Sequence, residues 1–528
     1  MQYAHYRLER GYIYMRRLNQ NLLESGFAFP ADVTAPFLAD KLPEKVIQFG
    51  EGNFLRGFVE WMIHQMNTQG KFNGRVVAVQ PIPEGLTSVI NEQDGLYTLL
   101  LRGLQDGKVK ECKEVISSVS RGINPYTHWD EVLKCAENPA IEFVISNTTE
   151  AGIVVDASDR LAMTPPNSFP AKLTVYLFHR FEFFNGSADK GMVIIPCELI
   201  ERNGDKLEEA VLQLADNWNL PAAFKKWIKE HNSFHNSLVD RVVTGYPREE
   251  AKLLADQLGY NDQLLDTGEL FHLWVIEGPA EVAKRLPFAE VGLDVVWTND
   301  MTPYRTRKVR ILNGAHTSSV PAAFLYGLET VGEMMDHAVM GKYVRQVIYE
   351  EIIPSVDLDK KMLVEFADSV VERFQNPFIK HYLISILLNS SSKFKARVLP
   401  SIIEYQQRTG KLPDLLSFSL AALLAVYKNG QVEGGSMRAK REKNEFIMKD
   451  DAPVLEFFAA AWKDFDASRA GALKVAETVL GNSAIWGQDL NKLAGFTDKI
   501  ADYLYQISND GIQAAIAKLV GGGKDCPC

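Results

Sequence analysis

The sequence predicts an α/β chain. Its N-terminal half is built on a mostly parallel sheet, and an all-α C-terminal half follows. Three observations predict this. Short apolar runs alternate with helical stretches before about residue 300. Beyond that point nearly every periodic segment is helical. The 528 residues are also more than one ordinary core holds.

The elements follow in order. Val46-Ile47-Gln48-Phe49 is an apolar run stopped by Gly50. Over residues 54–66, Phe58, Trp61, Met62 and Gln65 recur at helical intervals. Arg75-Val76-Val77-Ala78-Val79 is the second strand, and the unit of about 35 residues has the length a parallel crossover needs. Residues 141–145 and 192–195 are further buried strands. Residues 97–101 and 109–115 flank Gln105-Asp106-Gly107, a hairpin signal that predicts an antiparallel extension. The polar stretch Thr298-Asn299-Asp300 marks a boundary, giving domains 1–298 and 299–528. Helices are predicted over 320–326, 338–353, 363–374, 379–388, 415–427, 454–462 and 472–479. Pro354, Pro377, Pro413, Gly430, Gly434 and Gly435 fall in the breaks.

Composition narrows the function. The chain is 46% hydrophobic, which excludes a disordered chain. Lys and Arg number 57 against 67 Asp and Glu, a net charge of -10 that argues against general nucleic-acid binding. The longest apolar stretch, 415–426, is interrupted by Ser417 and Ser419 and is too short to span a bilayer. Residues 1–15 carry Arg7, Glu9 and Arg10 and show no secretory signal; Met15 is an alternative start. Five scattered cysteines fit free buried thiols in a reducing cytoplasm. Cys526-Pro-Cys528, after Gly521-Gly522-Gly523, reads as a frayed end. The basic run Arg438 to Lys443 reads as a solvated loop with acidic neighbours.

Chemistry concentrates in a few segments. Gly50-Glu51-Gly52-Asn53-Phe54-Leu55-Arg56 stands at a strand-to-helix turn, where two glycines let backbone N–H groups approach an anion such as a dinucleotide pyrophosphate. An ordinary tight turn has the same pattern. Leu55 replaces the usual third glycine, and Val79-Gln80-Pro81-Ile82 offers neither an acid for a ribose nor a cation for a 2′-phosphate. Asn147, at the end of the 141–145 strand, contacts a cofactor or forms a turn. In Lys308-Val309-Arg310-Ile311-Leu312-Asn313-Gly314-Ala315-His316, a regular helix puts Lys308, Leu312 and Ala315 on one face, with Asn313 and His316 beside them. An ammonium, an amide and an imidazole converging on one oxygen suit carbonyl chemistry; a core histidine beside an exposed lysine is the plainer reading. Cys197-Glu198-Leu199-Ile200-Glu201-Arg202-Asn203-Gly204 follows a strand's carboxyl end. His231 and His235 lack the glutamate of a zinc helix.

Together these segments resemble the mannitol dehydrogenase family of long-chain, metal-independent polyol dehydrogenases. The resemblance runs over about 46–400 and rests most on the Lys308, Asn313, His316 spacing. Asn203, Val239-Asp240-Arg241, Phe169-Pro170-Ala171-Lys172-Leu173-Thr174 and Ser391-Ser392-Lys393-Phe394 support it. It implies a Rossmann-type domain binding NAD through Phe49, Gly50, Gly52, Asn53, Phe54, Arg56 and Asn147, and no metal. It implies Lys308 as acid/base, Asn203 and Asn313 as amides on the reacting oxygen, and His316, Asp240 and Lys393 as substrate contacts. Two departures separate the chain from mannitol-oxidising members. Leu55-Arg56 replaces a His-Arg pair, and Ser385 replaces an arginine eight residues before Lys393. The His-Arg pair is also typical of the family's fructuronate reductases, and the Ser385 departure means that polyol contacts do not transfer wholesale. A sugar-acid substrate is expected, with a fructuronate or hexitol substrate as the alternative; Lys393, Lys380, Lys395 and His272 are candidates for a substrate carboxylate. Oligomeric state stays open.

Overall fold

The computed structural model describes residues 16–37, 41–148, 152–441 and 444–521. The readings made on residues 1–15, Lys443, Gly522, Gly523, Cys526 and Cys528 lie outside the described residues. The chain divides into two compact units: the first ends at Met301, and the second comprises Leu104–Gly107 and the chain from Thr302 on.

The first unit is organised by six strands: β1 (Glu44–Phe49), β2 (Arg75–Val79), β3 (Val119–Ile123), β4 (Phe143–Ser146), β5 (Val193–Pro196) and β6 (Ser233–Phe234). Their order is β3-β2-β1-β4-β5-β6, and every neighbouring pair is parallel. Alternate residues serve two cores. Val46, Val76, Phe143 and Ile145 face one, while Ile47, Val77, Val144 and Ile194 face the other. Burial on both faces is why the central strands read as unbroken apolar runs. β3 and β6 escape that reading because they are edges: β3 carries Ser120 and Arg121, and β6 is two residues long. The strand order reverses between β1 and β4, which opens a crevice at their carboxyl ends.

The predicted hairpin exists as Tyr97–Gln105 and Lys108–Ile116. Asp106 and Gly107 turn it with φ of 54° and 69°, a conformation these two residues tolerate. It is the middle of a four-stranded sheet, with Val33–Thr34 and Asp266–Gly268 added in parallel at the edges.

The helix after β1 runs through Asn53–Leu55, a π-wound Arg56–Glu60 and Trp61–Thr68. Wide winding loosens the usual ladder, and three of the carbonyls in this turn accept from side chains. Tyr97 Oη donates to the Arg56 carbonyl at 2.8 Å, Arg241 Nη1 to Gly57 at 2.8 Å, and Ser118 Oγ to Glu60 at 2.7 Å. Beneath them the buried Glu60 carboxyl accepts from Gln48 Nε2 at 2.7 Å and lies 2.9 Å from Tyr97 Oη. Asp266 is buried nearby.

The second unit is mainly helical. Asp414–Val426 is apolar all round because it lies at the centre, packed by Gly314–Tyr326 and Phe496–Gly521. Among the described residues no helix is long and apolar enough to cross a membrane. Three expectations need correction. The unit is not purely helical: Gln431–Glu433, Ser436–Arg441 and Asn444–Met448 form an antiparallel sheet where a loop was expected. Its basic side chains are paired, Arg438 with Glu445 at 3.2 Å and Arg441 with Glu329. The helix expected over 379–388 shrinks to Leu383–Ile386, because Pro377 and the Asn376 side chain capping the Phe378 N–H turn the chain first. Among the cysteines, Cys135 and Cys197 are buried but Cys112 is exposed on the hairpin.

Burial pushes the Asp266 carboxyl up to about 7, against the partial relief of the Arg56 charge. A raised carboxyl makes the folded state hold a proton the unfolded chain has released. Stability from this group therefore falls as pH rises from about 4 to 7. Asp266→Asn keeps the acceptor for the Thr267 N–H and removes the ionisation. Its urea midpoint, relative to wild type, should improve between pH 5 and pH 8.

Candidate active site

The crevice between β1 and β4 is closed on one side by Gly50. Its φ is 116°, and a Cβ there would lie 2.6 Å from the Asn147 carbonyl oxygen, so only glycine fits. Gly52, the N-cap of the following helix, differs: a Cβ would meet nothing within 4 Å. That open space beside the first N–H groups of a helix is what a pyrophosphate needs, so the turn fits a dinucleotide. Asn53 is exposed there, and Phe54 stacks on Phe58 at 5.0 Å.

Other residues expected at the cofactor act from beneath. Phe49 is buried against Phe169 and Tyr176. Arg56 is 2% exposed and spends Nη1 on the Glu51 carbonyl and Nη2 on Asn53 Oδ1, both at 2.6 Å. It braces the turn from inside. Asn147 ties β4 to β5 by donating from Nδ2 to the Cys197 carbonyl at 2.8 Å. The buried Glu198 carboxyl, pushed up by burial, accepts from Ser146 and Thr148 in the same place. At the tip of β2, Gln80 folds inward, donating to the Ile82 and Pro83 carbonyls and accepting from Thr87.

The placement of Asn203 corrects its expected role. It is fully buried; Nδ2 donates to the carbonyls of Pro196, Glu198 and Ser237, and Oδ1 accepts from Gly204 and Ser237 N–H groups. No valence is left for a reacting oxygen, so Asn203 fastens the end of β5 to the neighbouring strand. Asp240 is 4% exposed and ends the strand Ser237–Asp240. Arg241 beside it stacks on Trp61 at 4.1 Å and donates to four backbone carbonyls. His272 is no carboxylate anchor: burial, helped by the Arg241 charge, lowers it to about 4, and its Nε2 accepts from the Asp294 N–H.

In the second unit, Thr302–Arg307, a π-wound Lys308–Asn313 and Gly314–Tyr326 follow one another without a break. In a regular helix, residues five apart point about 140° away from each other. The i→i+5 winding stacks them instead, so Lys308 and Asn313 come to one side. The face expected from 3.6-residue periodicity is thereby redrawn. Leu312 and Ala315 are buried, whereas Lys308, Asn313 and His316 keep partial access to solvent. His316 stacks on Phe374, centroids 4.1 Å apart and planes at 13°, with His381 edge-on at 5.2 Å. Burial, and then the charges of His381, Arg373, Arg397 and Lys393, hold its pKa well below 6.5. The ring is neutral, and its buried Nε2 has no partner among the described residues. Lys393 lies on the helix Ser390–Arg397 and donates to the Ile386 carbonyl at 3.0 Å. Arg373, His381 and Arg397 were not anticipated around His316. Helical spacing would have found Arg397, four residues after Lys393, but nothing local marks Arg373. Among the described residues no three His, Cys, Asp or Glu gather as a metal site would require.

The model of the mannitol dehydrogenase Rossmann domain matches residues 44–290, and that of the mannitol dehydrogenase C-terminal domain matches 300–508. The chain belongs to the mannitol dehydrogenase family. Within the family, the altronate oxidoreductase of Bacillus subtilis (strain 168) is 46% identical over 483 residues, which is 91% of this chain and 96% of that one. The altronate oxidoreductase of Yersinia enterocolitica is 46% identical over 479 residues, 90% of this chain and 96% of its own. Substrate-free D-sorbitol dehydrogenase superposes with a TM-score of 0.77 at 21% identity, covering 95% of this chain and 100% of that one. Pseudomonas fluorescens mannitol 2-dehydrogenase, solved with NAD and D-mannitol, gives 0.69 at 22% identity, covering 96% and 100%. These two structures share the family's fold.

The two glycines should separate on mutation. Gly50→Ala should lower the thermal unfolding midpoint by several degrees, because its Cβ strikes backbone. Gly52→Val should unfold like wild type yet lose NADH binding, measured by quenching of protein fluorescence. Normal NADH affinity in that variant would move the nucleotide away from this turn.

Proposed function

We propose that the chain interconverts D-altronate and D-tagaturonate with NAD(H), without a metal, as a step of hexuronate catabolism. The observation that carries this reading is the 46% identity, over nearly the whole of both chains, to proteins named altronate oxidoreductase. The departure at Leu55 from the His-Arg pair of mannitol dehydrogenases and fructuronate reductases, and that at Ser385 from polyol members, agree with it.

The nicotinamide, when bound, supplies or accepts the hydride. The chain's own residues handle the oxygen. Lys308 gives the carbonyl oxygen its proton in reduction and takes it back in oxidation. Asn313, one wide turn along, donates an amide hydrogen bond to the same oxygen as charge develops. With Asn203 consumed by backbone, this amide does alone what two were expected to do. His316, held neutral, binds a substrate hydroxyl through Nε2 and leaves the ammonium of Lys308 as the proton source. Ammonium and amide polarise the carbonyl, which is the part a Lewis-acid metal would otherwise play.

A panel of D-tagaturonate, D-fructuronate, D-fructose and D-mannitol, each with NAD(H) and NADP(H), tests the assignment. Tagaturonate with NADH should give the highest kcat/KM; a higher value with fructuronate, or with NADPH, would reassign it. Lys308→Ala should lower kcat by about 10²- to 10⁴-fold, the worth of a positioned acid/base, with NADH affinity retained. Retention of a tenth of the activity would move the proton transfer to another group. Prolonged EDTA treatment should leave the rate unchanged.

A further inference from the structure

We propose that Arg397 receives the carboxylate of the sugar-acid substrate, assisted by Lys393 one turn earlier on the same helix. The inference rests on the sugar-acid reading above and adds the group that selects the acid. It was not among the cations the sequence suggested.

Arg397 is the last residue of the helix Ser390–Arg397, and Lys393 at i−4 shares its face. Its side chain is half-buried, and burial alone lowers its pKa. Among the described residues its guanidinium has no hydrogen bond or ion pair. The other withdrawn arginines are treated differently. Arg56, Arg180 and Arg241 spend donors on backbone carbonyls, and Arg310 forks onto Glu404 at 3.1 and 2.8 Å. Holding a guanidinium partly out of water without an acceptor is costly, and a ligand carboxylate would repay it. The planar fork matches a carboxylate with two parallel hydrogen bonds, which an ammonium cannot do.

A second observation marks the same place. The buried Nε2 of His316 has no partner, and Arg397 and Lys393 are close enough for their charges to act on that ring. An unpaired cation, a lysine and an orphaned imidazole nitrogen surround one position. A polyhydroxy acid fills it, with its carboxylate on Arg397 and a hydroxyl on His316. Backbone also comes close here: a Cβ on Gly314 would lie 3.2 Å from the Arg397 carbonyl oxygen. This ties the end of the Lys393 helix to the helix that carries His316. Lys395, two residues before Arg397, is exposed and extends toward Gly487. It serves as the control.

The test is steady-state kinetics on D-tagaturonate and on D-tagatose, the uncharged ketose, for wild type, Arg397→Met, Arg397→Lys and Lys395→Met. Arg397→Met should lower kcat/KM for tagaturonate by about 10- to 100-fold, chiefly through KM, as loss of a charge-assisted pair predicts. Arg397→Lys should recover part of this, and Lys395→Met should resemble wild type. NADH affinity and the unfolding midpoint of Arg397→Met should stay near wild type, and its tagatose turnover should change by less than about threefold. An unchanged KM for tagaturonate, an equal loss on both sugars, or a matching fall in NADH affinity would overturn the assignment. A wild-type enzyme that reduces tagatose but no ketouronate would instead remove the sugar-acid reading itself, and the role of Arg397 with it.

Discussion

The backbone from Lys308 to Asn313 is wound wide, and that winding brings the two residues to one side of the helix. That winding has to be held, since a regular ladder is the better hydrogen-bonding arrangement. Arg310 holds it from the buried side, with Nε on Ser401 at 2.7 Å and both terminal nitrogens on Glu404. Gly314, directly after the wide turn, lets the helix pass close to the backbone of Arg397. The cluster around His316 thus depends on how one turn of helix is wound, as much as on which residues occupy it.

The first unit repeats the device where the helix leaves the glycine turn. Arg56–Glu60 is also π-wound, and three of its carbonyls are taken by Tyr97, Arg241 and Ser118. Polar groups that could have faced a ligand are spent on geometry. Arg56 and Asn147 hold the crevice open, and Asn203 locks the strand end beside it. Asn147 and Asn203 are tied to backbone carbonyls, and Arg56 to the Glu51 carbonyl and the Asn53 side chain, which is how a buried polar side chain fixes a loop.

The central strands were legible because burial on both faces writes itself as apolar runs, and the glycine turn was legible because its spacing is stereochemical. The spacing of Lys308, Asn313 and His316 was legible as a pattern but not as a shape, since periodicity presumes 3.6 residues per turn. Asn203 shows the opposite limit. Its identity and position suited an oxygen-binding amide, but only the folded chain reveals five backbone partners. The sheet at 431–448 was hidden because its short strands carry charge and Gly430, Gly434 and Gly435 flank them, the marks of a loop. Arg373 was hidden because its charge reaches His316 only through tertiary packing.

The stack of His316 on Phe374 has a spectroscopic corollary. At 4.1 Å and nearly parallel, the imidazole protons lie above the face of an aromatic ring, inside its shielding cone. Their resonances are displaced upfield from those of an unstacked imidazole. The stack therefore gives the His316 ring an NMR signature of its own, and any ligand that reaches Nε2 registers as a shift of those protons.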